Sequence, residues 1–168
     1  MAVREVLRYP HPALKRVARE LSPEDSDEAE RVAADLVDTL RAHPGCVGLA
    51  APQLEELVRI VVVDVTDHPK ATSCAGLLVL VNPHVARSSG GEVAREGCLS
   101  IPDFTANVRR ATEVTVEATE PGGEPRAVDA DGFEARCLLH EIDHLDGLLF
   151  LDRVDSLRTD VFRRKKYR

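Results

Sequence analysis

The sequence has no tryptophan, and only two tyrosines and four phenylalanines among 168 residues. Its core must therefore be built from Leu, Val, Ile and Ala. No apolar run approaches the ~20 residues that a membrane-spanning helix needs, which excludes a membrane partner of that kind. Met1-Ala2-Val3-Arg4-Glu5 lacks a following apolar segment, so no secretory signal is expected. A cytoplasmic protein is the default. The four cysteines, Cys46, Cys74, Cys98 and Cys137, form no C-x-x-C pair. In a reducing compartment each is then a core residue or a functional thiol. Excess positive charge is also missing. A net charge of -7 argues against DNA binding by the surface as a whole. The small-residue stretch from Gly45 to Gln53 lacks the Lys-Ser/Thr ending of a phosphate-binding loop. There is no internal repeat and no low-complexity segment.

What is present is ordinary for a globular chain: 43% hydrophobic and 30% charged residues. One domain over residues 1–168 is expected, with a basic tail over 155–168. Phe162-Arg163-Arg164-Lys165-Lys166-Tyr167-Arg168 gives that tail its charge. It reads either as a solvated end or as a contact for an anionic partner such as RNA. Ser22-Pro23-Glu24-Asp25 opens an amphipathic helix of about residues 23–42, with Ala29, Val32, Ala33, Leu36, Val37 and Leu40 on its inner face. His43-Pro44-Gly45 ends it. Residues 59–65 read as a buried strand. Residues 77–81 read as another, stopped by Asn82-Pro83. A short strand leads into Glu96-Gly97-Cys98. Residues 113–119 alternate, and Pro121-Gly122-Gly123 turns them into a hairpin with residues near 125–130. Leu148-Leu149-Phe150-Leu151 reads as a last strand. The sum is an α+β fold: about seven short strands, mixed or antiparallel, around a late helix, with the amphipathic helix near the N-terminus.

That late helix carries the chemistry. His140-Glu141-Ile142-Asp143-His144 is a His-Glu-x-x-His sequence. On a helix the two histidines lie one turn apart on one face, close enough to hold one metal ion. Glu141 is rotated slightly off that face, where a general base would stand. Leu138, Leu139, Ile142, Leu145 and Leu148 would bury the helix, Asp131-Gly132 would open it, and Gly147 would close it. Two imidazoles leave a catalytic metal one protein ligand short. Cys98, between Gly97 and a proline-containing turn, is the best third candidate. A thiolate with two imidazoles suits Zn2+ or Fe2+ better than Mg2+ or Ca2+. Gly48 could line a ligand or serve a tight turn. Gln53 is a polar residue in apolar company, and His68 reads as a solvated loop residue.

Three stretches, in order and spacing, resemble the peptide deformylases: Gly48-Leu49-Ala50-Ala51-Pro52-Gln53, Glu96-Gly97-Cys98-Leu99-Ser100, and His140-Glu141-Ile142-Asp143-His144 with Leu145-Asp146-Gly147. The opening Val6-Leu7-Arg8-Tyr9-Pro10-His11-Pro12 is similar to the family's N-termini. The resemblance implies an α+β fold and removal of the N-formyl group from the initiator methionine of nascent polypeptides, with release of formate. It implies Cys98, His140 and His144 as metal ligands, and Glu141 as general acid and base. Gln53 and the Leu99 N–H would meet the charge that grows on the formyl oxygen. The usual family metal is Fe2+, which Zn2+, Ni2+ or Co2+ can replace.

On that basis Val47, Phe133 and Cys137 are nominated for the methionine pocket. The peptide beyond it would lie as an added strand on the backbones of Val47–Gly48 and Glu96–Gly97. Asp143 would pair with Arg110. The basic tail would be the part to touch the ribosome. Two positions depart from the family pattern: Cys46 stands where Gly is frequent, and Leu139 where Gln is common. Two other readings compete. A metal-dependent peptidase, or a deformylase relative working on a non-peptide formamide, would use the same helix, although Cys98 as ligand speaks against ordinary zinc peptidases. A binding module with a structural metal would need a fourth ligand, for which Cys46 and Cys137 are the nearby candidates.

Overall fold

The computed structural model describes residues 2–165. Its two α-helices are α1 (Ser26–Arg41) and α2 (Gly132–Leu145). Its strands, among the described residues, are β1 (Gly48–Ala50), β2 (Ile60–Val63), β3 (Leu78–Ser89), β4 (Glu92–Cys98), β5 (Ile101–Arg110), β6 (Glu113–Thr119), β7 (Pro125–Asp131) and β8 (Val161–Arg163). One sheet has the order β1-β2-β3-β6-β7 and the other β4-β5-β8. Every strand pair in them is antiparallel. The α+β expectation holds, with antiparallel strands and few helices.

The unbroken apolar run of β2 has a packing reason. All four of its residues are buried. Ile60 and Val62 face α1, where Val32, Leu36 and Leu40 pack, while Val61 and Val63 face α2, where Leu138, Ile142 and Leu145 pack. A strand covered on both faces has no polar side to show. A third core lies under the smaller sheet and joins Leu14, Cys98, Ile101, Val108, Leu149 and Phe150. The late helix therefore sits on the large sheet and reaches into the small one. The Arg136 guanidinium donates to the carbonyls of Val108 and Glu92 on β5 and β4.

Several local expectations need correction. Residues 23–25 form a 3-10 turn rather than the start of the α-helix. The Asp25 carboxylate accepts from the Ser22 N–H at 2.8 Å, so the cap closes on the turn, and α1 follows from Ser26. Asn82-Pro83 does not stop β3. The strand absorbs both residues in a register shift between Val81 and His84, which frees the proline from donating to the ladder. Asn82 takes φ +50°, and its side-chain amide bonds both the N–H and the C=O of Leu21. Ile101–Arg110 carries no clean alternation in sequence, yet forms the centre of the small sheet. Leu148–Leu151 is not a strand. Phe150–Arg153 is a 3-10 turn whose Asp152 carboxylate accepts from the Leu149 N–H, and Leu149 and Phe150 fill the third core. The last strand is β8, which pairs with β5 through Phe104–Arg163, Thr105–Phe162 and Ala106–Val161. Part of the expected tail is thus built into a sheet. Lys166, Tyr167 and Arg168 lie outside the described residues. No helix among the described residues is long and apolar enough to cross a membrane.

Candidate metal and catalytic site

The site forms where α2, the β4–β5 hairpin and the turn after β1 meet. Asp131 precedes α2 in an extended conformation, and Gly132 takes φ +51°. At the other end Gly147 takes φ +73°, and a Cβ there would stand 2.7 Å from the Lys15 carbonyl. Only glycine tolerates both conditions. Between these ends, α2 buries Glu134, Arg136, His140, Glu141, Asp143 and His144 along with its apolar residues. A helix pressed between two sheets has almost no solvent face.

The two histidine rings stand 5.2 Å apart, centroid to centroid, nearly edge to face. Cys98 ends β4 opposite them, where a register shift between Glu96 and Cys98 re-aims the strand. One donor atom from each of Cys98, His140 and His144 lies within 4.8 Å of the others, and all three residues are buried. The Cys98 Sγ to His144 Nε2 separation is 3.5 Å. Among the described residues no fourth His, Cys, Asp or Glu joins this group.

Two carboxylates, Glu96 and Glu141, flank the histidines. His140 Nδ1 bonds Glu96 Oε1 at 2.9 Å, which leaves Nε2 for the donor cluster. Burial alone would lower the His140 pKa, but hydrogen bonds to Cys98 and Glu96 and the charge of Glu141 outweigh it and hold the pKa well up. His144 moves the other way, pushed down by burial and then by the charges of His140 and Arg110. Burial would also raise Glu96, but hydrogen bonds from His140 and Arg110 bring its carboxyl to about 2. Burial raises the Glu141 carboxyl to about 7, against the pull of His140 and Arg110. Glu141 Oε1 lies 4.0 Å from His140 Nε2, while its Oε2 has no hydrogen-bond partner among the described residues.

Gln53 sits in a 3-10 turn (Ala51–Leu54) directly behind β1. Its Oε1 accepts from the Ala50 N–H at 2.9 Å, and its Nε2 donates to Ser100 Oγ at 3.0 Å and lies 3.5 Å from Cys98 Sγ. The amide is thus fixed with its N–H2 toward the donor cluster. The N-terminal segment holds the same two turns together: the Leu7 N–H bonds the Gln53 carbonyl and the Tyr9 N–H bonds the Ser100 carbonyl, both at 2.8 Å.

A cleft of about 430 Å³ opens onto these groups. Val47, Gly48, Gly97, Leu99, Phe133 and Cys137 line it, as do Cys98, His140 and Glu141. Every residue singled out for a substrate contact is therefore at one place. Gln53 and His144 are buried behind it. A larger shallow groove, about 590 Å³, lies along β3, β6 and β7 and shares no residue with this cleft. It holds none of the donor cluster.

Gly48 is read more sharply by structure than by sequence. It lies in β1, and a Cβ on it would stand 2.7 Å from Glu141 Oε1. Its role is close approach, not a turn. His68 also differs from expectation. It is half-buried and stacks on Phe133 with ring centroids 4.1 Å apart, which braces the cleft wall. Cys46 lies at the rim, where its thiol donates to the Gly48 carbonyl at 3.2 Å and burial pushes its pKa up to about 12. Leu139 packs against the core and does not line the cleft.

Sequence reasoning missed how far the supporting charges extend. Arg110 bonds Glu96 at 2.7 and 3.0 Å and Asp143 at 2.8 Å. Arg136 adds 2.6 Å to Glu96, and Arg153 chelates Asp143 at 2.9 and 3.0 Å. The Arg110–Asp143 pair was anticipated, but Arg136 and Arg153 carried no signal beyond their charge.

Comparison with known proteins agrees in sequence and in backbone. The polypeptide deformylase family model matches residues 3–160. The peptide deformylase of Thermodesulfovibrio yellowstonii is 38% identical over 98% of this chain and 97% of its own length. That of Thermomicrobium roseum is 42% identical over 95% and 90%. The crystal structure of a peptide deformylase from Legionella pneumophila superposes with TM-score 0.83 at 36% identity, over 94% of this chain and 89% of that one. The class I type b enzyme of Acinetobacter baumannii with Met-Ala-Ser bound gives TM-score 0.83 at 31% identity, over 91% and 100%. With this match in sequence over nearly its whole length, the chain belongs to the peptide deformylases, a family of enzymes.

Proposed function

We propose that the protein removes the N-formyl group from the N-terminal methionine of newly made polypeptides and releases formate, with the whole chain as one catalytic domain. The observation that carries this is the convergence within 4.8 Å of Cys98 and His140, which line the cleft, and His144 just behind it, in a chain of this family. The donor set fits a divalent cation. One sulfur and two imidazoles are ready-made ligands, and the carboxylates that raise the His140 pKa would attract a cation to the same point. Fe2+ is the metal proposed, with Zn2+, Ni2+ or Co2+ able to replace it. When bound, such a cation supplies Lewis acidity toward a water and toward the formyl oxygen.

The rest is done by side chains of this chain. Glu141, with an unpaired buried oxygen beside the cluster, takes the proton from the attacking water and gives it to the departing nitrogen. The Gln53 amide N–H and the Leu99 backbone N–H meet the negative charge on the formyl oxygen. Glu96 holds the His140 ring through Nδ1, so that Nε2 points at the cluster. Val47, Phe133 and Cys137 take the methionine side chain. β1 and β4 each end a sheet, so each has an open edge on which the backbones of Gly48 and Gly97 can pair with an extended peptide. Main-chain pairing is indifferent to sequence, as a general processing enzyme requires. The Met-Ala-Ser held by the Acinetobacter enzyme is a ligand of this form. The basic tail is proposed to meet the ribosome in the cytoplasm.

The test is formate release from formyl-Met-Ala-Ser by anaerobically purified, Fe2+-loaded protein. Formate is expected, and its absence would sink the proposal. Cleavage of unformylated peptides would favour a peptidase instead. Two substitutions probe the geometry. Gly48→Ala is expected to lower kcat/KM by about 10²-fold with the fold intact, because the methyl must displace the Glu141 carboxylate and a small misplacement costs that much. Steady-state kinetics beside a thermal melt checks it. Glu96→Gln is expected to weaken metal binding by about tenfold or more. Competition against a chelator measures this directly.

A further inference from the structure

We infer that Arg164, carried back to the cleft by β8 and lining it together with Arg95, favours substrates with a carboxylate side chain in the two residues behind the methionine. This rests on the deformylase reading above and deepens it. β8 fixes where the chain goes next. It pairs with β5, and the Arg164 N–H then donates to the Asp103 carbonyl at 2.8 Å. The side chain of Arg164 lies against β4. A Cβ on Gly97 would stand 2.0 Å from Arg164 Nη2, so it is the missing side chain of Gly97 that lets the guanidinium lie on the strand.

Arg95 stands two residues along β4, on the same face as Gly97. It is fixed by Asn107 at 3.1 Å and Thr105 at 3.2 Å, and its guanidinium carbon sits 3.8 Å over the Phe162 ring. All these partners are neutral. Neither Arg95 nor Arg164 makes an ion pair with any described residue. Arg136, which also lines the cleft, is neutralised by Glu96 at 2.6 Å. In a chain of net charge -7, the cleft lining thus carries two cations that no described carboxylate neutralises. An extended peptide on the open edge of β4 presents successive side chains to opposite faces. With methionine in the cleft, one of the next two residues passes these guanidinium groups.

The test uses Fe2+-loaded full-length protein and four C-terminally amidated peptides: formyl-Met-Asp-Ser, formyl-Met-Asn-Ser, formyl-Met-Ala-Asp and formyl-Met-Ala-Asn. The readout is the ratio of kcat/KM for each Asp peptide to its Asn partner. At one of the two positions the ratio is expected to be about threefold, the size of an exposed charge pair, and to shrink as salt rises. Arg164→Gln should bring it to about one and Arg164→Glu should invert it. An exposed control in the separate groove along β3, Arg87→Gln, should leave it unchanged. A ratio near one at both positions, or one untouched by both Arg164 substitutions, overturns the inference while leaving deformylation in place. A ratio lowered equally by the Arg87 control assigns the effect to net charge and overturns it too. Formate from none of the four peptides would overturn the deformylase reading and this inference with it.

Discussion

Glu141→Gln is expected to lower the rate of formate release by about 10²–10⁴-fold, the span that general acid–base catalysis contributes, while metal content and fold persist. The substitution keeps size and shape but cannot accept a proton. Glu141 is suited to the task by its isolation. It is 5% exposed, one oxygen lies 4.0 Å from His140 Nε2, and the other has no partner among the described residues. A carboxylate used only for structure would be expected to find partners, as Glu96 does four times over. Removing an unpaired buried charge should leave stability unchanged or slightly improved. The measurement is kcat together with metal analysis and a melting curve. Full turnover in a metal-loaded variant would mean that Glu141 moves no proton in the reaction.

Arg110→Ala is expected to destabilise the fold by about 3 kcal/mol, the low end of the cost of breaking a buried ion pair. For a chain of this length that lowers the melting temperature by roughly 6–12 °C. Arg110 is one of the links between the helix and the small sheet, with its side chain only 4% exposed. On one side it holds Glu96 of β4, on the other Asp143 of α2. Its loss leaves neither carboxylate alone, since Arg136 and His140 remain on Glu96 and Arg153 on Asp143. That is the reason for choosing the low end. Combining Arg110→Ala with Glu96→Gln should cost less than the sum of the two. A loss below about 1 kcal/mol would show that the remaining arginines carry the network, since single surface pairs are worth no more. Acid should weaken the same network. The Glu96 carboxyl titrates near 2 in the fold against an ordinary value of 4.5. Its stabilisation is complete above the ordinary value and drains away as pH falls toward 2.

The parts of this protein that are written locally could be read locally. α1 declares itself through apolar spacing, and β6–β7 through alternation around Pro121-Gly122-Gly123. His140 and His144 need only a helix to share a face, and the sequence from Asp131 to Gly147 supplies one. β5 and β8 were not legible, because their residues answer to partners far along the chain rather than to a local period. β3 was cut short for a similar reason. A proline that ends most strands is tolerated where a register shift releases its missing N–H, and nothing nearby in sequence announces the shift.

Residue types and their spacing were enough to propose one sulfur, two imidazoles and a carboxylate as a group, because a helical turn fixes three of the four. Only the folded chain decided the rest: that Gly48 is bare to make room for Glu141, that Glu96 turns the His140 ring, that His68 braces Phe133, and that Arg164 returns to the cleft. The division is physical. A helix or hairpin is fixed by residues a few positions apart, whereas the charge and space around a buried group depend on segments that meet only after both sheets have closed on α2.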